Sequence, residues 1–266
     1  MAIKLIAFDM DDTLLRNDRT IGQRTLEALR AAHDKGVKIV PATGRGRSTM
    51  WKYVEQMGCA DAAICTNGAQ IYDGRGDVIE ENPVPLAIAK RVARFAKENG
   101  WYVQGYNLQD YYFDTKCEGT EVYAYHANHM GLEVGDLEKF MIEDPFKMLF
   151  VETDMQRMAE LKKQVQPLFG DELCIFISKP FYLELTAPKA TKGAAVLALG
   201  RRFGVMPSEI MTFGDSANDI SMIEAAGVGV VMDNAKDEIK QYADLIAPGN
   251  DDEGVAQVID RYVLRA

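Results

Sequence analysis

Apolar positions in this chain fall into short runs separated by amphipathic stretches. Residues 3–9 (IKLIAFD) are mostly apolar over a strand's length and end in polar residues, which predicts a buried strand. Over residues 20–35, Ile21, Leu26, Leu29 and Ala32 recur at helical spacing, and Gly36 stops the pattern. A second strand is expected over 37–43, a second helix over 46–57 and a third strand over 62–66. Strand and helix in alternation are the rhythm of parallel βαβ units. Asn67-Gly68 then predicts a turn into a small hairpin at residues 70–72.

Near Pro83 and Pro85 the pattern changes. Helices are expected over 85–99, 118–130 and 154–168, and strands over 101–106, 111–114, 146–152, 173–178 and 181–185. After Pro188 the βα rhythm returns. Helices are expected over 192–203, 217–226, 234–242 and 251–264, with strands over 210–213, 228–232 and 244–247. The simplest reconciliation is an α/β fold. Residues 1–82 and 188–266 form one Rossmann-like parallel-sheet domain, and residues 83–187 form an inserted α/β domain.

Composition narrows the partners. The 266 residues suit one or two domains, and 47% hydrophobic with 26% charged residues is ordinary for a globular chain. A net charge of −10 disfavours phosphate-backbone contact, so no nucleic-acid partner is expected. No run reaches the ~18 apolar residues of a membrane span. No basic region followed by a long apolar stretch precedes the first strand, so no signal peptide is expected. Cys59, Cys65, Cys117 and Cys174 are scattered without a CxxC pair, which reads as reduced, buried thiols in a cytoplasmic protein.

Ligands of open parallel sheets bind at the carboxyl ends of strands. Four polar clusters are expected there: residues 9–13 (DMDDT), 43–45 (TGR), 66–68 (TNG) and 214–219 (GDSAND). Lys192 opens a helix in Thr191-Lys192-Gly193. Each piece alone has a plain reading. The acidic run could be a solvated turn, TGR a helix start, GDSAND a helix cap, and Lys192 a solvent-facing residue. Lys192 also stands at the wrong end for the helix dipole, which an anionic partner would explain. Together, in this order, they are chemically coherent. Asp9 and Asp11, two apart, can share a side of an extended segment. Converging carboxylates suit a hard divalent cation, while Thr43, Lys192 and backbone amides suit a phosphoryl group. That combination points to phosphoryl transfer.

The DMDDTL run, Thr43 in PATGR, Lys192 in TKG and GDSAND resemble motifs one to four of the haloacid dehalogenase superfamily. The TNGA of residues 66–69 and the insertion between motifs two and three resemble its Cof-type phosphatases, which carry a C2-type α/β cap. The resemblance covers essentially the whole chain. It implies that Asp9 is a nucleophile forming an aspartyl-phosphate, and that Asp11 protonates the leaving oxygen and then activates water. Asp9, the Asp11 carbonyl and Asp215 would hold Mg²⁺, with Asp219 supporting the metal or its waters. Thr43, Lys192 and Asn218, with the amides of Met10 and Gly44, would hold phosphoryl oxygens. The implied activity is an Mg²⁺-dependent phosphatase acting on a small phosphorylated metabolite, as a monomer or small homo-oligomer. A phosphosugar mutase and a non-catalytic phosphometabolite-binding protein are the alternatives. A response-regulator receiver would not explain the insertion.

Asp12 stands where the family often has glycine and is expected to serve the turn. His126 and His129, three apart, could share a helix face, although no ligand pattern surrounds them. The tyrosines at 102, 106, 111, 112, 123 and 125 fit sheet packing or a substrate lid. Arg45 and Arg47 could meet anionic substrate or pair with the site's own carboxylates, and pairing is favoured for Arg45.

Overall fold

Most apolar runs become strands and most amphipathic stretches become helices. The computed structural model describes residues 2–108, 110–127 and 129–265. Asn128 of the expected helix over 118–130, Gln109 of the expected insertion, and the terminal residues of the expected outer domain lie outside the described residues. The first segment carries β1 (Leu5–Phe8), α1 (Gln23–Asp34), β2 (Lys38–Pro41), α2 (Arg47–Met57), β3 (Ala62–Cys65), β4 (Gln70–Asp73) and β5 (Val78–Glu81). Every position of β1 is buried. Ile6 and Phe8 enter one apolar cluster while Leu5 and Ala7 enter another, as the two-residue period of a strand requires. A strand covered on both faces reads as a continuous apolar run.

The inserted segment carries α3 (Leu86–Asn99), β6 (Val103–Tyr106), β7 (Tyr111–Phe113), α4 (Glu118–Ala127), β8 (Leu132–Glu133), α5 (Leu137–Phe140), β9 (Lys147–Val151), α6 (Met155–Phe169), β10 (Cys174–Lys179) and β11 (Tyr182–Thr186). Its sheet runs β10-β11-β9-β6-β7-β8, antiparallel except between β7 and β8. One cluster joins Val92, Leu161 and Val165 to Val103, Phe150 and Leu183. A second gathers Tyr106, Tyr111, Leu149 and Tyr182, with Tyr102 and Tyr123 against it. Most of the tyrosines therefore pack the sheet, while Tyr125 is 81% exposed. Neither β8 nor α5 was anticipated. Both are too short to show a period; β8 is held by pairing to β7, and α5 is capped by the Asp136 side chain.

The returning segment carries α7 (Lys192–Phe203), β12 (Ile210–Gly214), α8 (Ile220–Ala225), β13 (Val228–Met232), α9 (Asp237–Lys240), β14 (Leu245–Ala247) and α10 (Gly254–Ile259). Five strands form a parallel sheet in the order β14-β13-β12-β1-β2. Residues of α1, α2 and α10 cover one face, and residues of α7 and α8 the other. β3 meets β2 through one parallel bridge, Ala42 to Ile64, and pairs antiparallel with β4. The hairpin expected at residues 70–72 thus includes β3, with its turn at Thr66–Gly68. The helix expected over 217–226 begins as a tighter turn at Ala217–Asp219. That expected over 234–242 shrinks to α9: Ala235 N–H closes a turn onto the Met232 carbonyl at 3.0 Å, and Lys236 is extended, so the helix starts only at Asp237.

The chain divides into two compact units, Met1–Glu81 with Thr191–Ala266, and Asn82–Ala190. The second boundary falls beyond the expected Pro188. Thr186 Oγ1 donates to the Ala190 carbonyl at 3.3 Å and Ala190 N–H to that of Ala187 at 2.8 Å, which ties residues 187–190 to β11. No helix among the described residues is long and apolar enough to cross a membrane.

Candidate active site

The carboxyl ends of β1, β2, β3 and β12 bring the four polar clusters together. Asp9 follows β1, and its N–H donates to the Phe213 carbonyl of β12 at 2.9 Å. Thr43 follows β2, is fully buried, and accepts the Arg45 N–H on Oγ1 at 3.1 Å. Lys192 begins α7 and is also fully buried. Its ammonium donates to Asp9 Oδ1, and to Asp219 Oδ1 at 2.6 Å. Asp219 Oδ2 accepts the N–H groups of Asp215 and Ser216, each at 3.0 Å. Both oxygens of Asp219 are therefore engaged within the protein. Asp215 accepts the Thr13 hydroxyl at 2.7 Å.

Two glycines permit this closeness. Gly68 has φ +100°, and a Cβ there would lie 2.5 Å from the Thr191 carbonyl oxygen, one residue before Lys192. A Cβ at Gly214 would lie 2.4 Å from that of Asp219.

Asp9, Asp215 and Asp219 each offer an oxygen within 4.8 Å of the others, the one such group among the described residues. Three carboxylates here face one ammonium. Burial, with Asp219 and Asp11 nearby, raises Asp9 to about 7 against the pull of Lys192. Burial raises Asp215 well above its usual range, with Asp219 and Asp9 adding to it. For Lys192, burial opposes the charge, but Asp219 and Asp9 outweigh it and hold the ammonium above its ordinary range. The shortfall of positive charge, with hard oxygen donors converging, fits a divalent cation.

Asp11 turns elsewhere. Arg45 Nε donates to its Oδ2 at 2.8 Å and Nη2 to Oδ1, while the guanidinium lies 5.7 Å from the Tyr53 ring centre. Asn218 Nδ2 donates to Asn67 Oδ1 at 2.9 Å, and the Asn67 side chain lies against Gly44. The geometry thus gathers Asp9, Thr43, Gly44, Lys192, Asp215, Asn218 and Asp219, and places Asp11 beside them on the turn Met10–Leu14. Asp12 lies within that turn, as expected, and has φ +61°, in the left-handed region. Arg47 stacks 4.7 Å from the Trp51 ring centre. The two cap histidines part company: His126 pairs with the Tyr182 hydroxyl and His129 with Asp110.

The model of the family described as haloacid dehalogenase-like hydrolases matches residues 6–259. The chain belongs to the haloacid dehalogenase-like hydrolases. Relatives of this hydrolase include the 5-amino-6-(5-phospho-D-ribitylamino)uracil phosphatase YcsE of Bacillus subtilis, 32% identical and covering 98% of this chain and 96% of its own. The HMP-PP phosphatase of Cronobacter sakazakii is 28% identical over 89% of this chain and 86% of its own. Among solved structures, the HAD subclass IIB sugar phosphatase BT4131 is 27% identical with a TM-score of 0.85, covering 97% of this chain and 98% of its own. The hydrolase is thus an enzyme of the phosphatase type, with a parallel-sheet core and an added antiparallel cap sheet.

Sequence reasoning missed Thr13 as the partner of Asp215, and Asn234 as the partner of the Asp12 carbonyl. The Thr13 position in DMDDTL was visible, but its partner lies 202 residues away, and no local pattern joins them.

Proposed function

We propose that the protein is an Mg²⁺-dependent phosphomonoesterase of small phosphorylated metabolites, sugar phosphates or similar compounds, working through an aspartyl-phosphate. One observation carries this reading: Lys192 joins Asp9 to Asp219 beside Asp215, at strand ends that also bear Thr43 and Asp11. The substrate class is supported by the names of the relatives, which cover a 5-amino-6-(5-phospho-D-ribitylamino)uracil phosphatase, an HMP-PP phosphatase and a sugar phosphatase. The outer unit serves as core domain and the inserted unit as the cap that sets specificity.

Asp9 attacks phosphorus, its Oδ–P bond forming as the bond to the leaving oxygen breaks. Asp11 gives a proton to that oxygen, then takes one from the water that hydrolyses the aspartyl-phosphate. Lys192, Thr43, Asn218 and the amides of Met10 and Gly44 orient the phosphoryl oxygens. Asp9, Asp215 and the Asp11 carbonyl would hold Mg²⁺, which supplies charge neutralisation to the phosphoryl group. Asp219, whose oxygens already bind Lys192 and two amides, holds the ammonium and the Asp215 loop in place and supports the cation indirectly.

Hydrolysis of p-nitrophenyl phosphate with and without Mg²⁺ tests the reading. Turnover is expected to need the metal and to fall by more than about 10³-fold in Asp9→Asn. Wild-type turnover in Asp9→Asn would overturn the mechanism. Saturable binding of phosphorylated metabolites without turnover would favour a binding protein, and transfer to a sugar hydroxyl a mutase.

A further inference from the structure

The turn Met10–Leu14 carries the chain away from Asp9, and its middle is strained. Asp12 has φ +61° and ψ 7°. Asp enters the left-handed region more readily than most residues with a Cβ but still at a cost, so neighbouring contacts hold the conformation. Inside the turn, Leu14 N–H donates to the Asp9 carbonyl at 3.3 Å and Leu15 N–H to that of Met10 at 2.8 Å. From outside, Asn234 Nδ2 donates to the Asp12 carbonyl at 2.8 Å. Asn234 Oδ1 accepts the Asn250 N–H at 3.1 Å. Asn250 Nδ2 in turn donates to the Leu15 carbonyl at 2.9 Å and to Asn17 Oδ1 at 3.1 Å. Two asparagines, from the loops that follow β13 and β14, therefore grip the middle and the far end of the turn. At 234 the side chain must offer a donor on one side and an acceptor on the other, which an amide does and a carboxylate does not.

We propose that Asn234 and Asn250 are positioning residues of phosphoryl transfer, which fix the left-handed turn at Asp12 and with it the direction in which Asp11 projects. If Asp12 relaxed to the right-handed region, its φ would swing by about 120°. That rotation would re-aim the segment holding Asp11. The Asp11 carboxylate rests on Arg45, an ion pair that must open before Asp11 can give a proton, and the asparagines fix the backbone from which the side chain swings. The nucleophile is anchored separately, since the Asp9 N–H is bonded into the sheet and its carboxylate to Lys192. Loss of the asparagine brace should therefore weaken proton delivery to the leaving group more than attack by Asp9.

The inference rests on the reading of Asp11 as general acid, and its test separates the two. kcat/KM, which reports steps through phosphoenzyme formation, is measured for p-nitrophenyl phosphate and for a simple alkyl phosphate. The aryl oxygen leaves without a proton, whereas the alkyl oxygen needs one. Asn234 is exposed, so Asn234→Ala is expected to fold, which the thermal midpoint checks. Its loss on the alkyl ester should exceed its loss on the aryl ester by roughly 10-fold or more. Asn234→Asp, which keeps the acceptor and loses the donor, should show the same split. Equal losses on both esters, or no loss, would overturn the proposal while leaving the acid assignment intact if Asp11→Asn discriminates between the esters. No discrimination in Asp11→Asn would overturn the acid assignment itself.

Discussion

Charge balance around Lys192 decides how this site behaves. Asp9 is raised from an ordinary 3.8 to about 7 chiefly by burial. Between those values the folded protein holds a proton that the unfolded chain has released. Metal-free stability contributed by this group is therefore full below about pH 4 and lost as pH rises through 7. In buffer with a chelator, Asp9→Asn should flatten that fall. At pH 8 it should exceed the wild type by about 1–4 kcal/mol, read by chemical denaturation at pH 5 and 8. An undiminished slope in Asp9→Asn would show that other groups carry it. Mg²⁺ should stabilise the wild type more at pH 8 than at pH 5, because its ligands must be deprotonated. At this scale the sequence displayed donors but not partnerships. Asp9, Asp11, Thr43, Lys192, Asp215 and Asp219 were legible because strand ends gather them. The Thr13–Asp215 and Asn234–Asp12 bonds were not, because they span 202 and 222 residues and depend on loop shape.

Among the elements, α7 has the most demanding placement. It begins with a buried lysine, is capped by Thr191 Oγ1 accepting the Ala194 N–H at 3.1 Å, and starts against the backbone of Gly68. Gly68→Ala forces a Cβ onto the Thr191 carbonyl at a positive φ. It should destabilise the protein by about 1–3 kcal/mol and lower kcat/KM, since the displaced Thr191 carries Lys192 with it. Unchanged kcat/KM would show that Lys192 is placed by its ion pairs alone. Strand and helix order followed from period and punctuation wherever elements were long. The sequence failed on β5, β8 and α5, where four, two and four residues show no clear period, and on α9, which starts only after the turn that Ala235 N–H closes onto the Met232 carbonyl.

Over the whole molecule, each of the two units has its own apolar clusters. The inserted unit also buries an ion pair, Lys147 Nζ to Glu184 Oε2 at 3.0 Å, with the ammonium 4.6 Å from the Tyr106 ring centre. Lys147→Met removes the buried cation and should destabilise by about 3–5 kcal/mol. Hydrogen exchange should then show lost protection within Asn82–Ala190 and retained protection at Leu5–Phe8, as expected if the units open separately. Equal loss in both would mean that they unfold as one. The strand order carries a further consequence for how the chain is made. β1 lies between β2 and β12, yet β12 ends at Gly214. A ribosome adding roughly 5–20 residues per second would finish β12 about 10–35 s after β2. Throughout that interval one edge of β1 has no strand to pair with, and the whole inserted unit, Asn82–Ala190, is made within it. Vectorial synthesis thus gives this hydrolase a period in which β1, an interior strand of the finished sheet, offers an unpaired edge to wrong partners, and Asp9 follows that strand.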